Sequence, residues 1–280
     1  MTELRGWGRP VWALVFAATA LGVAVFWVDW FASGKYLNAG DVCYRVFENT
    51  FPLPDGVMAV LMLLTAGLLI MGSPWCVLFG LISAGMSMHL GAIDLVYHLQ
   101  QDNMHDWNNP ETWSRAFIAA HTLLLGTLAA VYFYRRRRVF LGGSSERVTP
   151  PSWHVAAVLI TVEIGFTCIY WYTQLTGDHA GEPACARDFH QACLMADTMN
   201  VLTGAAAIAG IYLRRAWALV AGLLHVGLAL FGTLIYAAFS ALNPDLIENQ
   251  QNAYSILLVL FLFYILYLGW AFWRHRARAC

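Results

Sequence analysis

Eight stretches of this chain are long and apolar enough to cross a lipid bilayer, and no other feature limits its fold as strongly. A helix needs about 20 mainly apolar residues to span a hydrocarbon layer of roughly 30 Å. The stretches lie near residues 11–32, 55–73, 75–98, 113–134, 153–175, 196–213, 216–240 and 252–273. Hydrophobic residues make up 59% of the chain and charged residues 12%, where a soluble domain carries about 25% charged. So few charges cannot cover a soluble surface of this size. A net charge of −1 also excludes a nucleic-acid binder. The expected fold class is all-α, a polytopic integral membrane protein with eight transmembrane helices. The first stretch ends in Phe26-Trp27-Val28-Asp29-Trp30-Phe31 and has no small-residue cleavage site, so it reads as a span and not as a signal peptide.

Basic residues orient the chain. With an inside N-terminus, Arg5, Arg9, Arg135 to Arg138, Arg147, Arg214, Arg215, Arg274, Arg276 and Arg278 fall inside, twelve of the sixteen Lys and Arg. Lys35, Arg45, Arg115 and Arg187 fall outside. Both termini are expected in the cytoplasm, with the chain in the plasma (inner) membrane of a bacterium.

The sequence also matches itself. A shift of 142 residues superposes Cys43 on Cys185, Arg45 on Arg187, Phe47 on Phe189, Asp55 on Asp197, Trp75 on Trp217, Gly80 on Gly222 and Gly85 on Gly227. Several of these residue types are rare, which argues for duplication over a shared apolar alphabet. Two tandem four-helix repeats follow, 1–140 and 153–280, joined by a cytoplasmic linker at 141–152. Four spans per repeat give both halves the same orientation, related by an axis along the membrane normal.

An ionisable group at bilayer depth is a functional candidate by default. In the first repeat these are Asp29 at the end of helix 1, Asp55 at the start of helix 2, His89, Asp94 and His98 on helix 3, and His121 on helix 4. Glu48 falls in the outer loop before helix 2. Under the shift Asp29 becomes Trp171, His89 becomes Phe231, Asp94 becomes Tyr236, His98 becomes Ser240 and His121 becomes Phe263. The first repeat is therefore the expected site and the second mainly scaffold, with Glu163 and His225 as exceptions nearer mid-membrane. Asp55 and Asp197 also suit helix capping, because they sit where helices are expected to start. Ser83, Ser87, Asp94 and His98 share one stripe of helix 3, whereas His89 points elsewhere, which counts against a His/Asp metal cluster.

Cys43, Cys185 and Cys193 fall outside, where disulfides persist. Cys185 could pair with Cys193, or Cys43 with either. There is no Cys-x-x-Cys, phosphate-binding loop, Gly-x-Ser-x-Gly or His-Glu-x-x-His motif in the sequence, so neither a metal nor a cofactor is expected.

Val28-Asp29-Trp30 closing helix 1, Pro54-Asp55 opening helix 2 and Ile93-Asp94-Leu95-Val96-Tyr97 late in helix 3 resemble the EXPERA membrane domain. That family includes the emopamil-binding sterol isomerases and the sigma-2-type receptors. The resemblance covers about 120 residues and implies a cavity between helices that holds a sterol-like or cationic amphiphilic molecule against acidic groups. The family carries an acid within helix 2, where this chain reads Met58-Ala59-Val60-Leu61-Met62-Leu63-Leu64.

The expected function is binding, and possible isomerisation, of a lipophilic sterol- or isoprenoid-like molecule in the outer half of the first repeat. Asp29, Asp94 and His121 would supply charge and protons. Trp27, Trp30, Tyr97 and Trp113 would form the wall, with Asp55, His89, His98 and Glu163 as further contacts. The rival readings are a proton-coupled transporter using Glu163 and a membrane scaffold with acidic outer loops.

Overall fold

A computed structural model describes residues 4–38, 42–102, 104, 107–108, 110–141, 151–177, 183–246 and 251–274. Among the described residues there is no strand, so the fold is all-α as expected. The elements are α1 (Leu4–Ala32), α2 (Lys35–Asn38), α3 (Val42–Glu48), α4 (Pro52–Ile70), α5 (Trp75–Gln100), α6 (Pro110–Leu141), α7 (Pro151–Thr176), α8 (Ala184–Tyr212), α9 (Trp217–Leu242) and α10 (Gln251–Arg274), with one 3-10 turn at Pro244–Leu246. Seven helices are long and apolar enough to cross a membrane, α3 and α4 counting together as Val42–Ile70. The apolar part of α10 described in full, Leu258–Arg274, is shorter. These helices fit a polytopic, membrane-embedded protein. Most of the expected linker, 142–150, lies outside the described residues, as do Arg147, Arg276 and Arg278.

Helices α5 and α9 form the centre. Of the apolar stretch, 83% is buried in α5 and 78% in α9, against 22–39% in the other spans. They pack on each other, α4 and α6 flank α5, and α8 and α10 flank α9. In lipid there is little hydrophobic drive between helices, so close backbone approach through small residues does this work. The two helices meet at Gly85 and Gly227. A Cβ on Gly85 would lie 3.0 Å from the Gly227 Cα, and one on Gly227 would lie 3.0 Å from the Gly85 Cα and meet the Ile82 carbonyl. One turn further along, His89 packs on Phe231 with ring centroids 5.2 Å apart.

The same local structures recur 142 residues apart. Phe47 stacks on Tyr97 at 3.6 Å, and Phe189 stacks on Phe239 at 4.0 Å. The turn after α4 closes through Ser73 N–H to Leu68 O and Gly72 N–H to Leu69 O; the turn after α8 closes through Arg215 N–H to Gly210 O and Arg214 N–H to Ile211 O. This is the Schellman arrangement, which needs a left-handed residue at the helix end. Gly72 fills that position at φ +68°, and Arg214 fills it at φ +52°.

One helix start differs from expectation: Asp55 lies in the first turn of α4, with α3 before it, but α8 begins at Ala184, so Asp197 sits more than three turns inside a helix and caps nothing. The segment Ala184–Met195 carries Arg187, Asp188, His190 and Gln191, so its hydropathy is too low to read as a span. It is helical because it is held against α3 and α5. The Cys43–Cys185 disulfide joins α3 to α8, with Cα atoms 4.7 Å apart, and leaves Cys193 buried as a free thiol.

Replacing Gly227 with Ala should lower stability by about 1–3 kcal/mol, as overpacking of a close contact does. Gly165→Ala, where nothing lies within 4 Å, should leave it nearly unchanged. Thermal unfolding in detergent compares the two. Cys43→Ser/Cys185→Ser should cost about 2–5 kcal/mol in the same assay, whereas Cys193→Ser should leave the non-reducing gel mobility of wild type intact.

Candidate functional site

Asp55 lies in the first turn of α4, after Pro52 and Pro54, but makes no side-chain cap. Its carboxylate turns inward instead. The Trp27 indole N–H on α1 donates to Asp55 Oδ2 at 3.0 Å. Asp55 is 6% exposed, and its Oδ1 has no hydrogen-bond partner among the described residues. A buried acceptor left in this state is costly unless something occupies it.

Two further acids face it. Glu48 is buried at the end of α3 and not in a solvated loop, and its charge reaches Asp55. Asp94 on α5 lies within the field of both Glu48 and Asp55. The Tyr44 hydroxyl is hydrogen-bonded with Glu48 and with Arg115. The Arg115 guanidinium lies 5.6 Å from the Tyr44 ring centroid. His98 is buried beside Tyr44 and Tyr97, at 6.3 and 5.7 Å between ring centroids, and its Nδ1 has no partner among the described residues. Trp27, Trp30 and Tyr97 are buried around this group. Among the described residues no three His, Cys, Asp or Glu are disposed to hold a metal ion.

Other expected site residues lie elsewhere. Asp29 is not among the acids whose charge reaches Asp94. Its side chain is 60% exposed and pairs with Lys35 at 2.6 Å, an exposed pair of small energetic weight. Trp113 is exposed, with its ring against Trp107 at 5.0 Å and its indole N–H donating to the Trp107 carbonyl. His89 faces α9 at Phe231 and Gly232. His121 bonds to Thr19 on α1 through Nε2 at 3.0 Å and stacks on Phe117. The structure thus brings together Trp27, Trp30, Asp55, Asp94, Tyr97 and His98, and leaves Asp29, His89, His121 and Trp113 apart. Glu48, Tyr44 and Arg115 complete the group and were not assigned to it from sequence.

Near the same corner a groove of about 360 Å³ is lined by Phe31, Tyr36, Asn49, Pro52, Ala238 and Leu242, among others. It is almost wholly apolar, and none of the three carboxyls lines it. Asn49 joins its wall to the aromatic layer, accepting from the Trp30 indole at 3.0 Å and donating to the Tyr36 carbonyl at 3.2 Å.

The second half carries a polar interior of its own. Asp197 accepts from the Trp171 indole at 3.0 Å, so the indole–carboxylate bond of Trp27 and Asp55 occurs again. Deeper in the bundle, Glu163 is 5% exposed and accepts from Asn200 Nδ2 at 2.7 Å and from the Thr167 hydroxyl at 3.3 Å. Its other oxygen lies 3.8 Å from His225 Nε2.

Trp27→Phe removes the one donor to Asp55 and should cost about 1–3 kcal/mol through the stranded carboxyl. Trp30→Phe strands only a half-buried amide and should cost less. Chemical denaturation followed by tryptophan fluorescence ranks the two.

In comparisons with known proteins, no family model matches this chain, no curated protein matches it, and no solved structure matches it.

Proposed function

We propose that this chain is an eight-span protein of two tandem four-helix repeats, 1–140 and 153–280, in one orientation, whose first repeat binds a lipophilic molecule through buried carboxyl groups. The constant spacing of 142 supports the duplication. Cys43 with Cys185, Gly85 with Gly227, and His89 with Phe231 each pair a residue with its own counterpart, as happens along a two-fold axis. Both termini face the cytoplasm of a bacterial inner membrane. The bias of basic residues supports this, and the disulfide falls at the opposite face, where disulfides persist.

The observation that carries the ligand reading is the Asp55 carboxyl, fixed by Trp27 on one oxygen and open on the other, with Asp94 and Glu48 beside it. Three carboxyls at bilayer depth favour a ligand with a cationic or hydrogen-bond-donating end and an apolar body. The apolar body lies in the groove at the α3–α4 corner, and the polar end reaches the carboxyls past Asn49 and Trp30. The resemblance to the EXPERA domain points the same way, towards a sterol- or isoprenoid-like or amphiphilic molecule. Glu48 and Asp55 stand in for the acid that the sequence of helix 2 lacks. Two carboxyls with different partners, Glu48 with Tyr44 and Arg115, Asp55 with Trp27, also suit a double-bond shift in which one group gives a proton and the other takes one.

Native mass spectrometry of gently solubilised protein tests this. Wild type should carry a discrete lipophile, and Asp55→Asn/Asp94→Asn should lose it while keeping the wild-type circular dichroism. The same bulk phospholipid on both proteins would overturn the reading.

A further inference from the structure

The second bundle contains a buried, chemically complete set of groups that the ligand reading does not use. Glu163 comes from α7, Asn200 from α8, His225 from α9 and Tyr264 from α10, so all four helices of that bundle contribute. Counted along their helices from the ends facing the termini, these residues lie about 12–18 Å deep, roughly midway through the hydrocarbon layer. His225 is fully buried. Gly204 makes its slot, since a Cβ there would lie 3.0 Å from the imidazole Cε1.

The hydrogen positions follow from the partners. His225 Nδ1 lies 3.1 Å from the Asn200 carbonyl oxygen, which only accepts, so Nδ1 carries a hydrogen. In the neutral ring Nε2 is then the acceptor, and the Tyr264 hydroxyl donates to it at 2.6 Å. Glu163 Oε1 is taken up by Asn200 and Thr167, while Oε2 is buried, has no hydrogen bond among the described residues and faces His225 Nε2 at 3.8 Å. A lone charge at this depth is strongly disfavoured, and one proton resolves the whole set. With the proton on Glu163 Oε2, both groups are neutral. With it on His225 Nε2, a carboxylate faces an imidazolium, and the Tyr264 hydroxyl turns its hydrogen away from the ring. Net charge is zero in both.

We propose that Glu163, Asn200, His225 and Tyr264 form a proton-binding centre in the second bundle, with one exchangeable proton shared between Glu163 and His225. The ligand is the proton itself, and the centre is distinct from the carboxyl group of the first bundle. The other titratable group whose field reaches it is Asp197 on α8, which acts on Glu163, and the charge of Glu163 in turn reaches Tyr264 within the centre. Cys193 lies beyond, next to Asp197. Asp197 is one turn of α8 before Asn200, on the outer side, so the acids form a line from the outer half of the bundle to its middle. The counterparts of Asn200, His225 and Tyr264 in the first bundle are Met58, Ser83 and Thr122, which carry no such proton.

Infrared difference spectroscopy of purified protein, recorded between acidic and alkaline buffer within the range where circular dichroism is constant, reads the proton directly. A protonated-carboxyl C=O band should appear on acidification, shift in D2O, and be missing from Glu163→Gln. The same band should persist in Asp55→Asn/Asp94→Asn, so a failure of the ligand reading leaves it untouched. In His225→Asn and in Tyr264→Phe its midpoint should move by about one pH unit or more. Identical difference spectra for wild type and Glu163→Gln would overturn the proposal. So would a midpoint that neither His225→Asn nor Tyr264→Phe, both folded, displaces.

Discussion

The close approach of α5 and α9 at Gly85 and Gly227 is the contact on which the rest of the structure depends. Helices in lipid gain little by hiding apolar side chains from each other, so packing must come from shape. Two glycines facing each other let the backbones come nearer than any side chain would allow. That proximity makes α5 and α9 the central pair and leaves the other spans to flank them. It also sets the direction of everything projecting from α5. His89 is turned towards α9, and Asp94 is turned away from it, towards α3 and α4. The separation of these two residues into different surroundings is a consequence of the glycine contact, four residues from His89 and nine from Asp94.

Around that centre the polar groups obey a different constraint. A carboxyl at bilayer depth needs a donor, and the chain supplies an indole in each half, Trp27 to Asp55 and Trp171 to Asp197. An indole N–H is one donor on a large apolar body, so it satisfies one oxygen without bringing charge or water with it. In the first half the second oxygen of Asp55 remains open. The surrounding residues there are Glu48, Asp94, Tyr44 and Arg115, an ionisable set. In the second half the positions of Glu48 and Asp94 hold His190 and Tyr236, whose rings lie 6.3 Å apart, an aromatic set. One scaffold thus offers two interiors of opposite character at the same depth.

Much of the architecture was legible in the sequence because apolar length and residue spacing survive without coordinates. The all-α class, most span positions and the 142-residue spacing all came from such patterns. Helix starts were not legible where polar residues are helical because of what they rest on, as in Ala184–Met195. This cost the reading of Asp197 as a cap and of Glu48 as a loop residue. The aspartate of the Val28-Asp29-Trp30 segment resembled a site residue, yet Asp29 ends at Lys35 on the surface, because it lies two residues' turn from Trp27 and one from Trp30, off the buried face of α1. The ungapped shift also hid the correspondence of Trp27 with Trp171. The connection from α1 to α3 is two residues longer than that from α7 to α8, and a two-residue gap in the comparison would have aligned the two tryptophans.

That gap changes what the first helices of the two halves have in common. With it, Thr19 and not Leu21 corresponds to Glu163. Thr19 bonds to His121 on α6 at 3.0 Å, while Glu163 faces His225 and, through it, Tyr264 on α10. Both halves therefore keep a polar link near mid-membrane between a side chain of the first helix and an imidazole. In the first half the link is a hydroxyl with a half-buried histidine, and it can be satisfied as a neutral pair without any shared proton. In the second it is a carboxyl with a fully buried histidine, and no neutral arrangement exists without one. The halves thus differ in chemistry, with Glu48, Asp55 and Asp94 near one another in the first and Glu163 facing His225 in the second.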